Sequence, residues 1–208
     1  MAKSPKIVPV PIKVRTRRAY FDFAHGQLHV RTAFPGTGGF DELVTLICLH
    51  PAQASSRTFA RFLPEIATVR SAYAPDLPGC GESDPAPDNS IAQAAAAVFH
   101  LARDLRLRKI DLLGFQSGAA VAMELAATQA PLVRRLVLID VPAAERLSTL
   151  KQPALVLRTR LEAAGGLSHL QAALPNGKFV DVSEYAADLF EAAPITLAKD
   201  IGAYLAST

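Results

Sequence analysis

Short apolar runs alternate along this chain with longer stretches whose apolar residues recur every three to four positions. The segments RAYFDF and LHVRTAF flank AHGQ, which predicts a β-hairpin turning near His25–Gly26. Leu43 to His50 (LVTLICLH) is a near-continuous β-branched and apolar run, the pattern of a strand buried on both faces. RTFARFLPEIA follows with helical spacing, behind the capping candidates Ser55 and Ser56. The alternation then repeats. RSAYAPDL predicts a strand, and SIAQAAAAVFHLARDLRL a long helix with Ser90 as its cap. KIDLLGF, VRRLVLIDV, PALVLRTR and GKFVDV predict four more strands. SGAAVAMELAATQA, LSHLQAAL and PITLAKDIGAYLA predict further helices.

Strands alternating with helices imply a mostly parallel sheet of about eight strands covered on both faces, a three-layer α/β/α sandwich. The leading hairpin makes that sheet mixed. The chain has 208 residues, half of them hydrophobic and a fifth charged, which suits one soluble domain with one core. Charge changes this picture at one end only. Lys3, Lys6, Lys13, Arg15, Arg17 and Arg18 fall in a stretch without an acid, while the whole-chain net charge is only +3. Residues 1–17 are therefore expected to form a basic, flexible arm ahead of a single domain over 18–208. No aromatic-rich basic face follows, so nucleic acid is not an expected partner. The opening apolar stretch is proline-broken and runs into more charge, unlike a signal peptide. No apolar run reaches the ~18 residues that a membrane span needs. A cytoplasmic location is expected, with no membrane partner. The two cysteines, Cys48 and Cys80, are too few for a disulfide framework and agree with a reducing compartment.

Three loop motifs sit at set places in this order. LHPAQASSRTF follows the third strand, DLPGCGESD (Asp76 to Asp84) follows the fourth, and DLLGFQSGAAVAMELA spans the fifth strand and its helix. Together they resemble the α/β-hydrolase fold over nearly the whole chain, from about Arg18 to Leu205. The resemblance implies that Gly114-Phe115-Gln116-Ser117-Gly118 is a nucleophile elbow, a strained strand-to-helix turn patterned Gly-x-nucleophile-x-Gly. The apex residue is Gln116, which is no nucleophile. Ser117 stands one place late. Read as a slipped nucleophile it would be catalytic, but such an offset re-aims the side chain, and a helix-starting serine is the plainer reading.

The other two triad positions fail independently. The resemblance places the acid after the penultimate strand, where RTRLE puts Arg160 near the position and Glu162 only displaced from it. It places the general-base histidine just before the last helix, where Ala186 or Ala187 stands, and no histidine occurs after His169. Activating a hydroxyl at neutral pH needs a base within hydrogen-bond reach, itself held by an orienter. His50 is the one histidine that its motif puts at the right end of the sheet. It is a candidate for an unorthodox base, although the resemblance gives this position a role in shaping the oxyanion loop. His25, His29, His100 and His169 read as surface or packing residues, and their spacing offers no metal site. No cofactor is expected. Cys80 has nothing near it in sequence to lower its pKa, and Cys48 reads as packing within a strand.

Part of the site survives in this reading. The family's oxyanion hole takes one N–H from the residue after the apex and one from the loop after the third strand, which here implies Ser117 and Ala52, since Pro51 has no N–H. Gln116, both donor and acceptor, would lie between them and hold a carbonyl or carboxylate without attacking it. Asp140 is followed by VPAAERLSTLKQ and then at once by the next strand, so little or no lid is expected and the cleft above Gln116 should be open. Three functions fit these residues. The first is a member with a degenerate triad that binds a small carbonyl or carboxylate ligand, or a partner, through Gln116, Ser117, Ala52, His50 and Arg160. The second is a weak esterase using His50 and Ser117 in non-standard roles. The third is an interaction module whose lidless face meets a protein partner. Fold membership alone does not choose among them.

Overall fold

The computed structural model describes residues 13–36, 43–142, 144–159, 166–175, 177–182 and 189–207. Eight strands form one sheet: β1 (Arg15–Phe23), β2 (Gly26–Phe34), β3 (Thr45–Leu49), β4 (Ala72–Pro75), β5 (Ile110–Phe115), β6 (Val133–Ile139), β7 (Ala154–Arg158) and β8 (Lys178–Asp181). Their order across the sheet is β1-β2-β4-β3-β5-β6-β7-β8. The β1–β2 and β2–β4 pairs are antiparallel and every other pair is parallel. The helices are α1 (Phe62–Ile66), α2 (Ile91–Asp104), α3 (Ser117–Thr128), α4 (Gly166–Ala173), α5 (Leu189–Ala192) and α6 (Pro194–Ala206).

Side chains alternate across each strand, and the sheet sorts them into two cores. Ile47, Leu49, Leu112, Leu136 and Leu138 face α2 and α3. Leu46, Cys48, Leu113, Val137 and Ile139, one residue out of step, face α1, α5 and α6. This is why the strands read as continuous apolar runs rather than as alternating ones. Phe190 of α5 closes the second core, with Phe59, Phe62 and Phe115 edge-on around it at 4.8, 5.4 and 5.5 Å.

Several boundaries differ from the sequence expectation. The sheet starts at Arg15, three residues before the expected domain limit, because the β1–β2 ladder runs unbroken from Arg15 opposite Phe34 to Phe23 opposite Gly26. The helix expected over RTFARFLPEIA is two pieces, a 3-10 turn at Ser56–Phe59 and then α1. Pro64 has no N–H to donate back to Ala60, so it can only sit in the first turn of a new helix. Ser55 caps the 3-10 turn by accepting from the Arg57 N–H at 3.3 Å. Ser90 caps α2, accepting from the Gln93 N–H at 3.2 Å. α5 lies in a stretch for which the sequence pattern predicts no element.

At the N-terminal end of the parallel strands lies a charged cluster. Asp111, fully buried at the start of β5, accepts from Arg134 at 2.6 and 2.9 Å and from Arg70 at 3.2 Å. Arg134 also donates to the Leu205 carbonyl at 2.7 Å, and Arg135 to the Tyr204 carbonyl at 2.6 Å. Two guanidinium groups thus meet the last carbonyls at the C-terminus of α6, where the helix dipole favours positive charge. The cluster fastens α6 to the end of the sheet opposite the elbow.

Candidate functional site

The C-terminal ends of β3, β4 and β5 bring the sequence motifs together. Gln116 ends β5 and precedes α3 with φ 52° and ψ −119°, a conformation that L side chains rarely hold. Its N–H donates to the Ile139 carbonyl at 2.8 Å, and its carbonyl accepts from the Ala119 N–H at 2.9 Å. Two glycines make the turn fit. A Cβ on Gly118 would collide with the Leu49 and His50 carbonyl oxygens, and one on Gly114 with the backbone of Gly118 and Ala119. The sterics of an elbow are all present. Gln116 is partly exposed at its apex.

Ser117 begins α3, so its N–H has no acceptor within its own helix. Its hydroxyl is not idle. Oγ accepts the Ala52 N–H at 2.5 Å, tying the start of α3 to the loop after β3. This corrects the sequence reading in which the Ala52 N–H stands free as the second oxyanion donor. One serine oxygen now occupies the place where a ligand oxygen would accept.

His50 is also corrected. It is completely buried, its Nδ1 donates to the Pro51 carbonyl at 2.7 Å, and its Nε2 accepts the Leu77 N–H at 2.9 Å. Burial holds the imidazole below its usual pKa, against the smaller opposing pull of the Pro51 carbonyl and of Asp76. With both ring nitrogens committed to backbone groups, His50 has nothing left to offer Ser117. Its work is to lock the loop after β3 onto the turn after β4.

A different histidine carries a carboxylate partner. His29, on β2, is 1% exposed and its Nδ1 lies 2.9 Å from Asp76 Oδ2. The sequence reading of His29 as a plain surface or packing residue missed this pair. Asp76 is 2% exposed and also accepts the Ser56 N–H at 2.6 Å and the Glu82 N–H at 2.9 Å. Burial pushes its carboxyl up, but hydrogen bonds from Ser56, the Glu82 N–H and His29 outweigh that and hold it below the ordinary value. The alternation of His29 with Leu28 and Val30 and the acid opening the DLPGCGESD turn were the available signals.

Asp140 adds a second tie that the sequence reading missed. It sits beyond β6 with φ 51°, and its carboxylate accepts the Thr159 N–H at 2.8 Å and the Thr159 hydroxyl. It thereby fixes the end of β7. Arg160, Glu162, Ala186 and Ala187 lie outside the described residues. His25 and His100 are exposed. Cys48 is buried, which pushes its thiol far up, and Cys80 is a half-buried free thiol. Among the described residues no group of three or more His, Cys, Asp or Glu is placed to hold a metal ion. No described helix is long and apolar enough to cross a membrane.

Beside the elbow a cavity of about 370 Å³ opens between the turn after β4, the start of α2 and the first turns of α3. Leu77, Ile91, Ala94 and Val121 give it apolar walls, and Gln53, Asp88, Asn89, Ser90 and Ser117 bring polar side chains to its lining. Gln116 does not line it. Among the described residues, the large exposed apolar side chains are Tyr20, Val69, Ile91, Val180 and Ile195, which fall in different segments of the chain.

Residues 46–206 match the model of the Alpha/beta hydrolase family. Over 96 residues the chain is 32% identical to pyrrolizixenacetamide deacetylase of Xenorhabdus hominickii, covering 45% of this chain and 36% of that protein. The chain thus spans about a third of the length of that curated relative. Among solved structures, carboxylesterase CesB of Bacillus subtilis superposes with a TM-score of 0.78 at 15% identity, covering 94% of this chain and 93% of that one. A thioesterase domain from the curacin biosynthetic pathway gives 0.75 at 13% identity, covering 93% and 100%. At such identities the superpositions establish the fold and nothing finer.

Proposed function

We propose, from the premise that this chain belongs to the alpha/beta hydrolase family, that it binds a small acyl compound without cleaving it through the elbow. The ligand class is a short apolar chain ending in a carbonyl or carboxylate. The apolar body suits the 370 Å³ cavity, and the polar end suits Ser117, which lines it. The single observation that carries this reading is the hydrogen bond from the Ala52 N–H to Ser117 Oγ. A nucleophilic serine needs a partner that removes its proton, whereas this serine has one that feeds it a proton donor. The glutamine at the apex and the engagement of both nitrogens of His50 support the same reading. The degenerate triad and the short connection between β6 and β7, with little room for a lid, belong to the same proposal.

A second reading, a weak esterase acting through Ser117, is favoured by kinship. The named relatives are a deacetylase, a carboxylesterase and a thioesterase, and their names speak for hydrolysis rather than for binding alone. His50 drops out as its base on geometric grounds. One experiment separates the two. The protein is assayed on 4-nitrophenyl butyrate, and thermal shifts are recorded with butyrate and hexanoate, for the wild type, Ser117→Ala and Val121→Trp. Binding without hydrolysis gives blank turnover, a melting temperature raised by the acids, and loss of that rise when Trp fills the cavity. Turnover abolished by Ser117→Ala in a folded protein would replace the binding reading by the esterase one.

A further inference from the structure

β1 is the outermost strand of the sheet, and its sequence RTRRAYFDF divides it by charge. Arg15, Arg17 and Arg18 occupy its first half, and among the described residues none of them forms an ion pair. Arg18 stands directly opposite Arg31 in the β1–β2 ladder, an unfavourable placing of like charges. The turn end is acidic. Asp22 lies there, Glu82 accepts from the Tyr20 hydroxyl at 3.0 Å, and Asp84 accepts the Gln27 N–H at 2.8 Å. Asp22 itself accepts from Gln27 Nε2 at 3.1 Å through one carboxylate oxygen.

The backbone of β1 is also open to a partner. Gln27 and His29 turn their N–H and C=O groups away from β1. Gln27 bonds Asp84 with both, and His29 bonds Ser83 Oγ and the Asp76 N–H. Opposite residues of an antiparallel ladder are bonded together or left unbonded together. Asp22 and Tyr20, the ladder partners of Gln27 and His29, therefore direct their backbone groups away from β2, and by alternation so do Arg18 and Thr16. All four residues are exposed. An open edge of this kind is a template for another strand. Charge on an edge ordinarily blocks such pairing, but here the two signs sit at opposite ends of the strand.

We propose that two copies of this chain pair antiparallel through β1, joining their sheets across a two-fold axis at Tyr20. The outward backbone groups of one strand must meet those of the other, so a symmetric pairing sets even-numbered residues against even-numbered ones. Centred on Tyr20, it sets Arg18 against Asp22 of the second copy, and Asp22 against its Arg18. Registers centred on Arg18 or Asp22 would oppose like charges, and those centred on Ala19 or Phe21 would set a charge against Tyr20. A parallel pairing would lay the basic ends side by side. At the axis Tyr20, 52% exposed, packs on Tyr20 of the second copy. The contact is isologous and closes at a dimer.

Analytical ultracentrifugation of the full chain, from low micromolar to near-millimolar concentration, tests this on the wild type, Arg18→Asp, Asp22→Arg and the double exchange Arg18→Asp/Asp22→Arg. A reversible monomer–dimer equilibrium is expected of the wild type. Each single exchange should raise the dissociation constant by roughly tenfold or more, because the axis turns both attractive pairs repulsive at once. The double exchange re-forms both pairs with their signs reversed, and should return the constant to within roughly threefold of the wild type. Thermal melts verify that each variant is folded. A wild type that stays monomeric throughout, a dimer undiminished by either single exchange, or a double exchange no tighter than the single ones overturns the proposal.

Discussion

Gln116 holds a backbone conformation that costs on the order of 1–3 kcal/mol for a side-chain-bearing residue. In an elbow that strain aims a nucleophile, and here it aims an amide. Gln116→Gly should release most of the strain while losing about 0.5–1 kcal/mol to the freer unfolded chain. A net gain near 1 kcal/mol in urea denaturation is the expected result. A loss of stability would mean that the glutamine side chain makes favourable contacts outweighing its strain. Gln116→Ser gives a separate test, of chemistry. It puts a hydroxyl at the apex, but His50 stays committed to Pro51 and Leu77. Loss of the base in a serine hydrolase costs about a millionfold in turnover. The variant should therefore remain at the blank on 4-nitrophenyl butyrate, and brisk turnover would reveal a working base elsewhere in the chain. Residue identity at 116 was plain in the sequence. That Ser117 Oγ takes the Ala52 N–H was not, because the two residues meet only when the loop after β3 folds over the start of α3.

Elements were the most legible level. The strands announced themselves because a sheet covered on both faces demands apolar residues on both, and Ser90 fell at the cap of α2. The break ahead of α1 was legible in principle, since Pro64 cannot continue a helix, yet apolar spacing concealed it. The attachment of α6 was not legible at all. Arg134 and Asp111 lie on neighbouring parallel strands, and Leu205 at the far end of the chain joins them only after the sheet is assembled. Asp111→Ala leaves Arg70 buried without its counter-charge, and removing one partner from such a group typically costs about 3–5 kcal/mol. Guanidinium denaturation should show that loss with the transition still cooperative. A change under about 1 kcal/mol would show that the cluster is not a fastening, since such small shifts are ordinary for surface substitutions.

At the scale of the molecule, Asp76 links the turn after β4, the loop after β3 and β2 through one carboxylate. Its folded pKa is depressed, so its stabilising effect is complete above the unfolded carboxylate value of about 3.9 and is lost as pH falls through the lower folded value. Melting temperatures of the wild type and Asp76→Asn should differ at neutral pH and converge in acid. A gap that stays constant down to pH 2.5 would remove Asp76 from the linkage. A truncation probes the other end of the sheet. The ladder begins with Arg15 opposite Phe34, and Val14 packs against the second core. Removal of residues 1–12 should leave the melting temperature unchanged, and a fall of several degrees would assign those residues a place in the fold.

The sequence by itself determined the alternation of strands and helices, the two buried faces of the sheet, the elbow glycines and the glutamine between them. These are local facts, set by apolar period, turn chemistry and the space a backbone needs. Only the tertiary structure decided which polar groups satisfy one another. His50 and His29 are both buried histidines, and nothing in their sequence neighbours says that the first is spent on two backbone groups while the second pairs with the Asp76 carboxylate. That distinction depends on Leu77 and Asp76, which follow β4 and come into reach because β4 pairs with both β2 and β3. A hydrogen bond is made or missed within a few tenths of an ångström, and only the packed sheet sets distances that finely.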